Sequence, residues 1–160
     1  MMAPGGSGIH GFPPRGTHPE MLAPANPLVM WHFTNLRDPR WHLLRQYLVL
    51  TQDAANPEPQ KLGSFHRNTW GAYLLNRELF LKRFQAAGNP CDYPDLGCSF
   101  ETFTNAGFLE LETLGPLCTL APGEFVTHTE RWNAFRDIEI AVWDDEELDR
   151  VLLPLVTPEG

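Results

Sequence analysis

Residues 108–135, FLELETLGPLCTLAPGEFVTHTERWNAF, decide the fold class, because apolar and polar residues alternate at their start and Gly/Pro turns interrupt the middle of the stretch. In a β-strand successive side chains point to opposite faces of the sheet. Leu109 and Leu111 are therefore expected on one face, and Glu110 and Glu112 on the other. The stretch predicts a sheet with one apolar face and one face that carries two acids.

Further strands are predicted wherever aromatic and aliphatic residues form short runs between turn residues. The predicted strands are 27–36, 41–53, 69–75, 79–84, 98–104, 108–114 and 124–135, with a hairpin between the third and the fourth. The acids at 144–147 predict the start of a short helix, which Pro154 is expected to end.

These elements predict a single all-β domain over residues 1–160. We expect a sandwich or partial supersandwich of antiparallel strands with one short C-terminal helix. Residues 1–27 are predicted to be loop-rich, and 28–136 to form the β-sheet core. Residues 137–160 are predicted to hold a strand and the helix.

The composition limits the partners. With 12 basic and 20 acidic residues the formal net charge is −8, which disfavours nucleic acid and an anionic membrane as partners. The N-terminal sequence lacks the basic start and apolar block of a signal peptide, so a cytoplasmic protein is expected if this start is native. The three cysteines form no CxxC pair and the histidines show no ligand spacing, so neither a metal nor another cofactor is expected.

The two acids of 108–114 have two interpretations. A carboxylate flanked by apolar residues is destabilised by the loss of water unless it is paired or faces a wet pocket. In the first interpretation Glu110 and Glu112 face bulk solvent and pair with Lys82 or Arg83 on a neighbouring strand. In the second they line a groove, where a polar ligand supplies the missing hydrogen bonds. The pattern alone leaves both open.

Residues 98–105, CSFETFTN, repeat the combination, because Glu101, Phe103 and Asn105 are expected to share one face. Acids and amides bind hydroxyl groups through hydrogen bonds, and an aromatic ring packs against the C–H face of a sugar. The two segments together favour a sugar or an oligosaccharide as the ligand.

The segment LETLGPLCTLAPGEFVTHTERWNAF resembles the closing part of galactose-mutarotase-like proteins, in which a strand with a Glu-Thr pair precedes a Leu-x-Pro-Gly-Glu turn. Four blocks are similar, in this order, to a bacterial family of the same β-supersandwich class: IHGFPPRGTHPEMLAP, NPLVMWHFTNLRDPRW, YPDLGCSFETFTN and LELETLGPL. The resemblance runs from Ile9 to Val156 and corresponds to the C-terminal part of those longer proteins.

The resemblance implies the chemistry of an aldose 1-epimerase (mutarotase), an isomerase. Glu112 matches the catalytic base that takes the proton from O1 of the sugar. The nearest match to the histidine that protonates the ring oxygen is His32, although the asparagine that precedes it in the family is missing here. Non-catalytic sugar binding is the alternative that stays open.

Other polar residues near these blocks are expected to contact the substrate: Glu101, Glu110, Asn105, Arg15, Arg40 and Lys82. Arg40 also fits a second interpretation, a turn over 37–40 with an internal ion pair.

Proteins of the supersandwich class are longer than 160 residues, so uncovered sheet edges and an apolar face are expected. An N-terminal half, a partner chain or a second copy in a homodimer would cover them. A self-associating structural β-domain is therefore a further alternative to a sugar-binding one.

Overall fold

The computed structural model describes residues 1–13, 15–25 and 28–157, which form ten strands, one 3₁₀ turn and one helix. The strands are β1 Ser7–Gly11, β2 Leu28–Met30, β3 Trp41–Leu43, β4 Tyr47–Thr51, β5 Gln60–Ser64, β6 Asn68–Leu75, β7 Glu78–Gln85, β8 Phe100–Thr104, β9 Leu109–Thr113 and β10 Arg131–Phe135. The 3₁₀ turn is Pro90–Asp92 and the helix, α1, is Asp145–Val156. Six positions lie outside the described residues. They are 14 and 26 in the predicted loop-rich region, 27 at the start of the first predicted strand, and 158–160 in the C-terminal region.

The strands form two sheets in which neighbouring strands are antiparallel. The six-stranded sheet has the order β10-β7-β6-β1-β4-β3, and the four-stranded sheet has the order β2-β5-β8-β9. A shared apolar core, which includes Leu50, Leu62, Phe100 and Leu111, draws side chains from both sheets. The arrangement confirms the predicted all-β, sandwich-like fold with one short C-terminal helix.

The central strands of the six-stranded sheet, β1, β4 and β6, are buried on both faces, because α1 covers the face that points away from the other sheet. Along β4 the side chains alternate between the two cores. Tyr47 and Val49 pack with the helix, whereas Leu48 and Leu50 belong to the core shared with the four-stranded sheet. This double burial explains the nearly continuous apolar sequence of β4.

β1 differs most from the prediction, because it lies in the region predicted to be loop-rich and yet forms a central strand of the larger sheet. Its sequence, SGIHG, contains one strong β-former, so the pattern was too short to indicate a strand. Hydrogen bonding to β4 on one edge and β6 on the other stabilises it. Gly11 is required by close packing, since a Cβ there would lie 2.4 Å from the Trp70 ring.

The remaining strands confirm one part of the prediction and correct another. The β6–β7 hairpin is confirmed, and its turn residues Asn76 and Arg77 have φ values of 51° and 65°, as a two-residue type I′ turn requires. The predicted strand 41–53 is a hairpin of β3 and β4, and the predicted strands 27–36 and 124–135 are shortened to β2 and β10. β5 was not predicted, and the strand predicted after position 136 is absent from the described residues 137–157.

The helix begins at Asp145, within the acidic run 144–147, as predicted. The Asp144 carboxylate accepts a hydrogen bond from the Glu147 N–H at 2.8 Å, which caps the first turn. The prediction that Pro154 ends the helix is wrong by two residues, since α1 continues to Val156. Pro154 lies in the last turn, where its missing N–H removes a single intrahelical hydrogen bond and the helix ends soon after.

Two carboxylates fix α1 to the β3–β4 hairpin. Asp145 accepts a hydrogen bond from the Gln46 N–H at 2.7 Å, and Asp149 accepts one from the Tyr47 hydroxyl at 2.5 Å. The predicted position of the helix, as a short cap on a sheet, is confirmed. Within the described residues no helix is long and apolar enough to cross a membrane.

The packing of α1 on the six-stranded sheet can be tested by its effect on stability. Leu148 is fully buried between α1 and the six-stranded sheet, so Leu148→Ala should lower the free energy of unfolding by about 2–5 kcal/mol, measured by urea denaturation. Leu117, which is 70% exposed, provides the matched control, and Leu117→Ala should change stability by less than about 0.5 kcal/mol. Equal effects of the two substitutions would contradict the packing of α1 on the sheet.

Candidate functional site

The predicted alternation along β9 is confirmed. Leu109 and Leu111 are buried in the core between the sheets, so Glu110 and Glu112 project from the outer face of the four-stranded sheet. Glu101 of β8 lies directly opposite Glu112 in the antiparallel register. The structure therefore brings three of the predicted site residues to one surface.

A lysine that the sequence analysis did not select lies at the centre of these acids. The Lys61 ammonium of β5 lies 2.7 Å from Glu101 Oε2 and 3.4 Å from Glu112 Oε1. It also lies 4.8 Å from the centroid of the Trp31 ring, which is a cation–π contact. We call Lys61, Glu101, Glu110 and Glu112 the acid face. Lys61 was missed because β5, with the sequence QKLGS, shows too little alternation to predict a strand.

Glu101 is the most buried of the acids, with 1% of its surface exposed, and its Oε1 has no hydrogen-bond partner among the described residues. Its pKa is raised to about 7, first because burial removes water from the carboxylate. Lys61 opposes this shift in pKa, and the neighbouring Asp95 carboxyl adds to it. Glu101 therefore exchanges its proton near neutral pH.

Glu110 and Glu112 interact with each other. Burial raises the pKa of Glu110, and a hydrogen bond with the Glu112 carboxyl and their mutual repulsion raise it further. The acid face thus has more acceptor oxygens than donors.

Aromatic rings lie beside the acids, as expected from the sequence. Phe103, two positions after Glu101 on β8, shares its face of the sheet. The Phe103 ring contacts the rings of Phe33 and Phe108 at centroid distances of 6.4 and 5.8 Å. Phe33 is 43% exposed, so part of this aromatic surface is open to solvent.

The other predicted site residues make no described contact with the acid face. His32 lies in an exposed turn after β2, and none of the described hydrogen bonds or ring contacts involves its side chain. Arg15 is exposed and lies 5.4 Å from the centroid of the Phe12 ring. Lys82 is on β7, in the other sheet, and forms an ion pair of 3.0 Å with Glu130.

Asn105 and Arg40 have structural contacts. The Asn105 side chain accepts a hydrogen bond from the Gly107 N–H at 2.7 Å in the β8–β9 turn. The Arg40 guanidinium is buried and binds the Asp38 carboxylate at 2.8 and 3.0 Å, which confirms the predicted internal ion pair of residues 37–40. It also donates to the Glu58 carbonyl at 2.6 Å.

A buried histidine that the sequence analysis did not select connects the two sheets. His10 Nδ1 lies 2.8 Å from the Trp70 carbonyl, so this nitrogen carries the proton and Nε2 accepts from the Ser64 hydroxyl at 2.7 Å. The ring stacks on Phe100 at 4.1 Å. Burial lowers the pKa of His10 to about 3, which keeps it neutral. His10 and Ser64 are at most 2% exposed, so this Ser–His pair is structural.

Among the described residues, the cysteines form no disulfide and the potential metal ligands form no metal site. All three cysteines are free, and burial raises the pKa of the Cys98 thiol to about 12, which makes it unreactive. The part of the chain that the structure describes has no cluster of His, Cys, Asp or Glu side chains that fits a metal ion.

A cleft of about 1640 Å³ opens at another place, beside β6, β7, β10 and the C-terminal end of α1. Its lining includes Trp70, Arg83, Phe84 and Arg131 but none of the residues of the acid face. The molecule therefore has two separate surfaces with concentrated polar groups.

A scan against protein-family models, a search of curated proteins and a search of solved structures each find no match for this chain. The geometry of the two surfaces is therefore the basis for the functional conclusion.

Glu101 makes a prediction for stability as a function of pH. Its pKa is 4.5 in an unfolded chain and about 7 in the folded protein, so the folded state binds more protons between these values. The free energy of unfolding of the wild type should therefore fall, relative to that of Glu101→Gln, as the pH rises across this interval. Urea denaturation at several pH values measures the difference, with the exposed Glu146→Gln as the control. A difference that does not change with pH would contradict the raised pKa.

Proposed function

We propose that the protein binds a neutral carbohydrate on the acid face. The observation that supports this most directly is the excess of acceptors there: Glu101 and Glu112 share the single ammonium group of Lys61, and Glu110 interacts with Glu112. A carboxylate has two acceptor oxygens and no donor when ionised, whereas an ammonium has three donors. The hydroxyl groups of a sugar supply donors without adding charge.

The exposure of the residues determines which of them a ligand reaches. The Glu112 side chain is 33% exposed and that of Lys61 is 17% exposed, whereas Glu101 is almost completely covered. A sugar is therefore expected to bind Glu112, Glu110 and Lys61 directly. Glu101 positions Lys61 through the ion pair of 2.7 Å.

The neighbouring aromatic rings support a sugar over a metal cation. Phe33 and Phe103 present apolar surface beside the carboxylates, which suits the C–H face of a pyranose ring. A metal ion would meet the positive charge of Lys61 between Glu101 and Glu112, which disfavours it electrostatically.

Anomer interconversion is a second candidate, and the raised pKa of Glu101 favours it. Glu101, whose pKa burial raises to about 7, lies directly opposite Glu112 in the antiparallel register. In this candidate Glu112 is the base on O1, as the family resemblance implies. Glu101, whose pKa is about 7, replaces the exposed His32 as the nearby acid. The ligand reaches Glu101 only if Trp31, which covers it together with Lys61, moves aside.

Substitution of the acids tests carbohydrate binding. Tryptophan fluorescence or calorimetry with a panel of hexoses and pentoses should give saturable binding, and Glu112→Gln or Glu110→Gln should weaken it by roughly tenfold or more, since each removes a charged acceptor. Glu146→Gln, on the exposed side of α1, should leave the affinity unchanged. Absence of binding to every sugar, or full affinity in the Glu110→Gln/Glu112→Gln double variant, would rule the proposal out.

Exchange NMR of the sugar anomers tests the catalytic candidate separately. The wild type should accelerate the exchange between the α and β anomers of a sugar that binds, and Glu112→Gln should abolish the acceleration. His32→Ala should retain it, because the His32 side chain is exposed and makes none of the described contacts. Binding without faster exchange would support sugar binding and contradict catalysis of anomer exchange.

A further inference from the structure

Two arginines lie opposite each other in the cleft beside α1. Arg83 of β7 and Arg131 of β10 are direct partners in the antiparallel register. Both line the cleft of about 1640 Å³. Like charges in directly opposite positions of a sheet destabilise it. The described residues contain no carboxylate in an ion pair with either arginine.

The contacts of Arg83 are made by neutral groups. One Nη group donates to the Leu155 carbonyl at 3.2 Å, and the other donates to the Asn133 side chain. Arg83 Nε is buried and has no partner among the described residues. The Leu155 carbonyl belongs to the C-terminal end of α1 and carries only a partial negative charge. Within residues 1–13, 15–25 and 28–157, no carboxylate pairs with Arg83 and its Nε has no acceptor.

Two imidazole rings line the same cleft. His128 stacks on Phe84 at 4.3 Å, and its Nε2 lies 2.9 Å from the Thr113 hydroxyl. His66 Nδ1 is a second buried polar atom without a described partner. Phe84 directly follows Arg83 on β7, so Phe84 and the stacked His128 lie on the other side of the sheet from the arginine pair.

The acids near the cleft are already engaged. Asp149 is the acidic residue of the cleft lining, and it accepts hydrogen bonds from the Tyr47 hydroxyl at 2.5 Å and the Gln46 amide at 3.1 Å. Glu130 lies 3.8 Å from His128 but is bound by Lys82 at 3.0 Å. The lining therefore has two arginines and one engaged acid, although the whole chain has a net charge of −8.

We infer that this cleft binds a small organic anion, in which a carboxylate or phosphate group bridges Arg83 and Arg131 and a ring packs beside Trp70, the cross-strand neighbour of Arg83 on β6. A guanidinium matches both anions with paired hydrogen bonds, and two of them facing each other are stabilised by a shared counter-charge. The buried Trp70 ring beside Arg83 offers apolar surface to the ring of the ligand. The site shares no residue with the acid face, so the result of its test is independent of carbohydrate binding.

Three probes of similar size test the chemistry on the full chain. Phenyl phosphate and benzoate should bind saturably in calorimetry, and benzyl alcohol, which is neutral, should bind at least tenfold more weakly. The tighter of the two anions identifies the charged group of the ligand. Equal affinity for benzyl alcohol, or no binding of either anion at millimolar concentration, would overturn the proposal.

A charge-matched pair of variants locates the site. Arg131→Gln should weaken binding of the anionic probes at least tenfold, and Arg136→Gln, which removes the same charge from an exposed side chain outside the cleft, should not. Without ligand, Arg131→Gln should raise the melting temperature, because it removes the repulsion from Arg83, and this result also shows that the variant folds. Equal affinities of the two variants would contradict the assignment.

Discussion

Burial of both faces of β1, β4 and β6, the central strands of the six-stranded sheet, is the constraint on which the rest of the structure depends. Because side chains alternate along a strand, a shift by one residue would exchange the two cores. Ile9 packs on the helix side, whereas the next residue, His10, points between the sheets. The His10 ring fits only there, since Ser64 and the Trp70 carbonyl satisfy both of its nitrogens. The central strand β1 therefore fixes the register for its neighbours on both sides, although it is only five residues long.

The four-stranded sheet is under a weaker constraint. Its inner face completes the shared core with Leu62, Phe100 and Leu111, and this leaves its outer face free to carry charges. That freedom has a limit, because Trp31 and Lys61 cover Glu101 and remove water from its carboxylate. An ion pair with one partner does not compensate such a group fully, as its unpartnered oxygen and raised pKa indicate. At position 101, selection for stability alone would consequently favour a residue other than glutamate.

The sequence predicted the elements whose patterns are long and regular, and it missed those that depend on their neighbours. β9, the β6–β7 hairpin and the start of α1 were predictable from alternation, turn residues and capping acids. β1 and β5 each have one aliphatic residue among glycine and polar residues, so pairing with flanking strands determines them. The omission of β5 had a direct consequence for the site. Lys61 had no place in the predicted sheet, and Lys82, which lies in the other sheet, was selected as a partner for the acids.

The separation of charges is the feature that packing does not explain. Two carboxylates, those of Glu101 and Glu112, share one lysine on the four-stranded sheet. On the six-stranded sheet two arginines face each other without a described carboxylate. A chain selected only for stability would place opposite charges together, as Asp38 and Arg40 or Glu147 and Arg150 do elsewhere in this molecule. Local electrostatic conflicts that persist in an otherwise consistent fold mark the positions where selection has acted on binding. This reasoning supports both proposals, a neutral polyol on the acid face and an anion at the arginine pair.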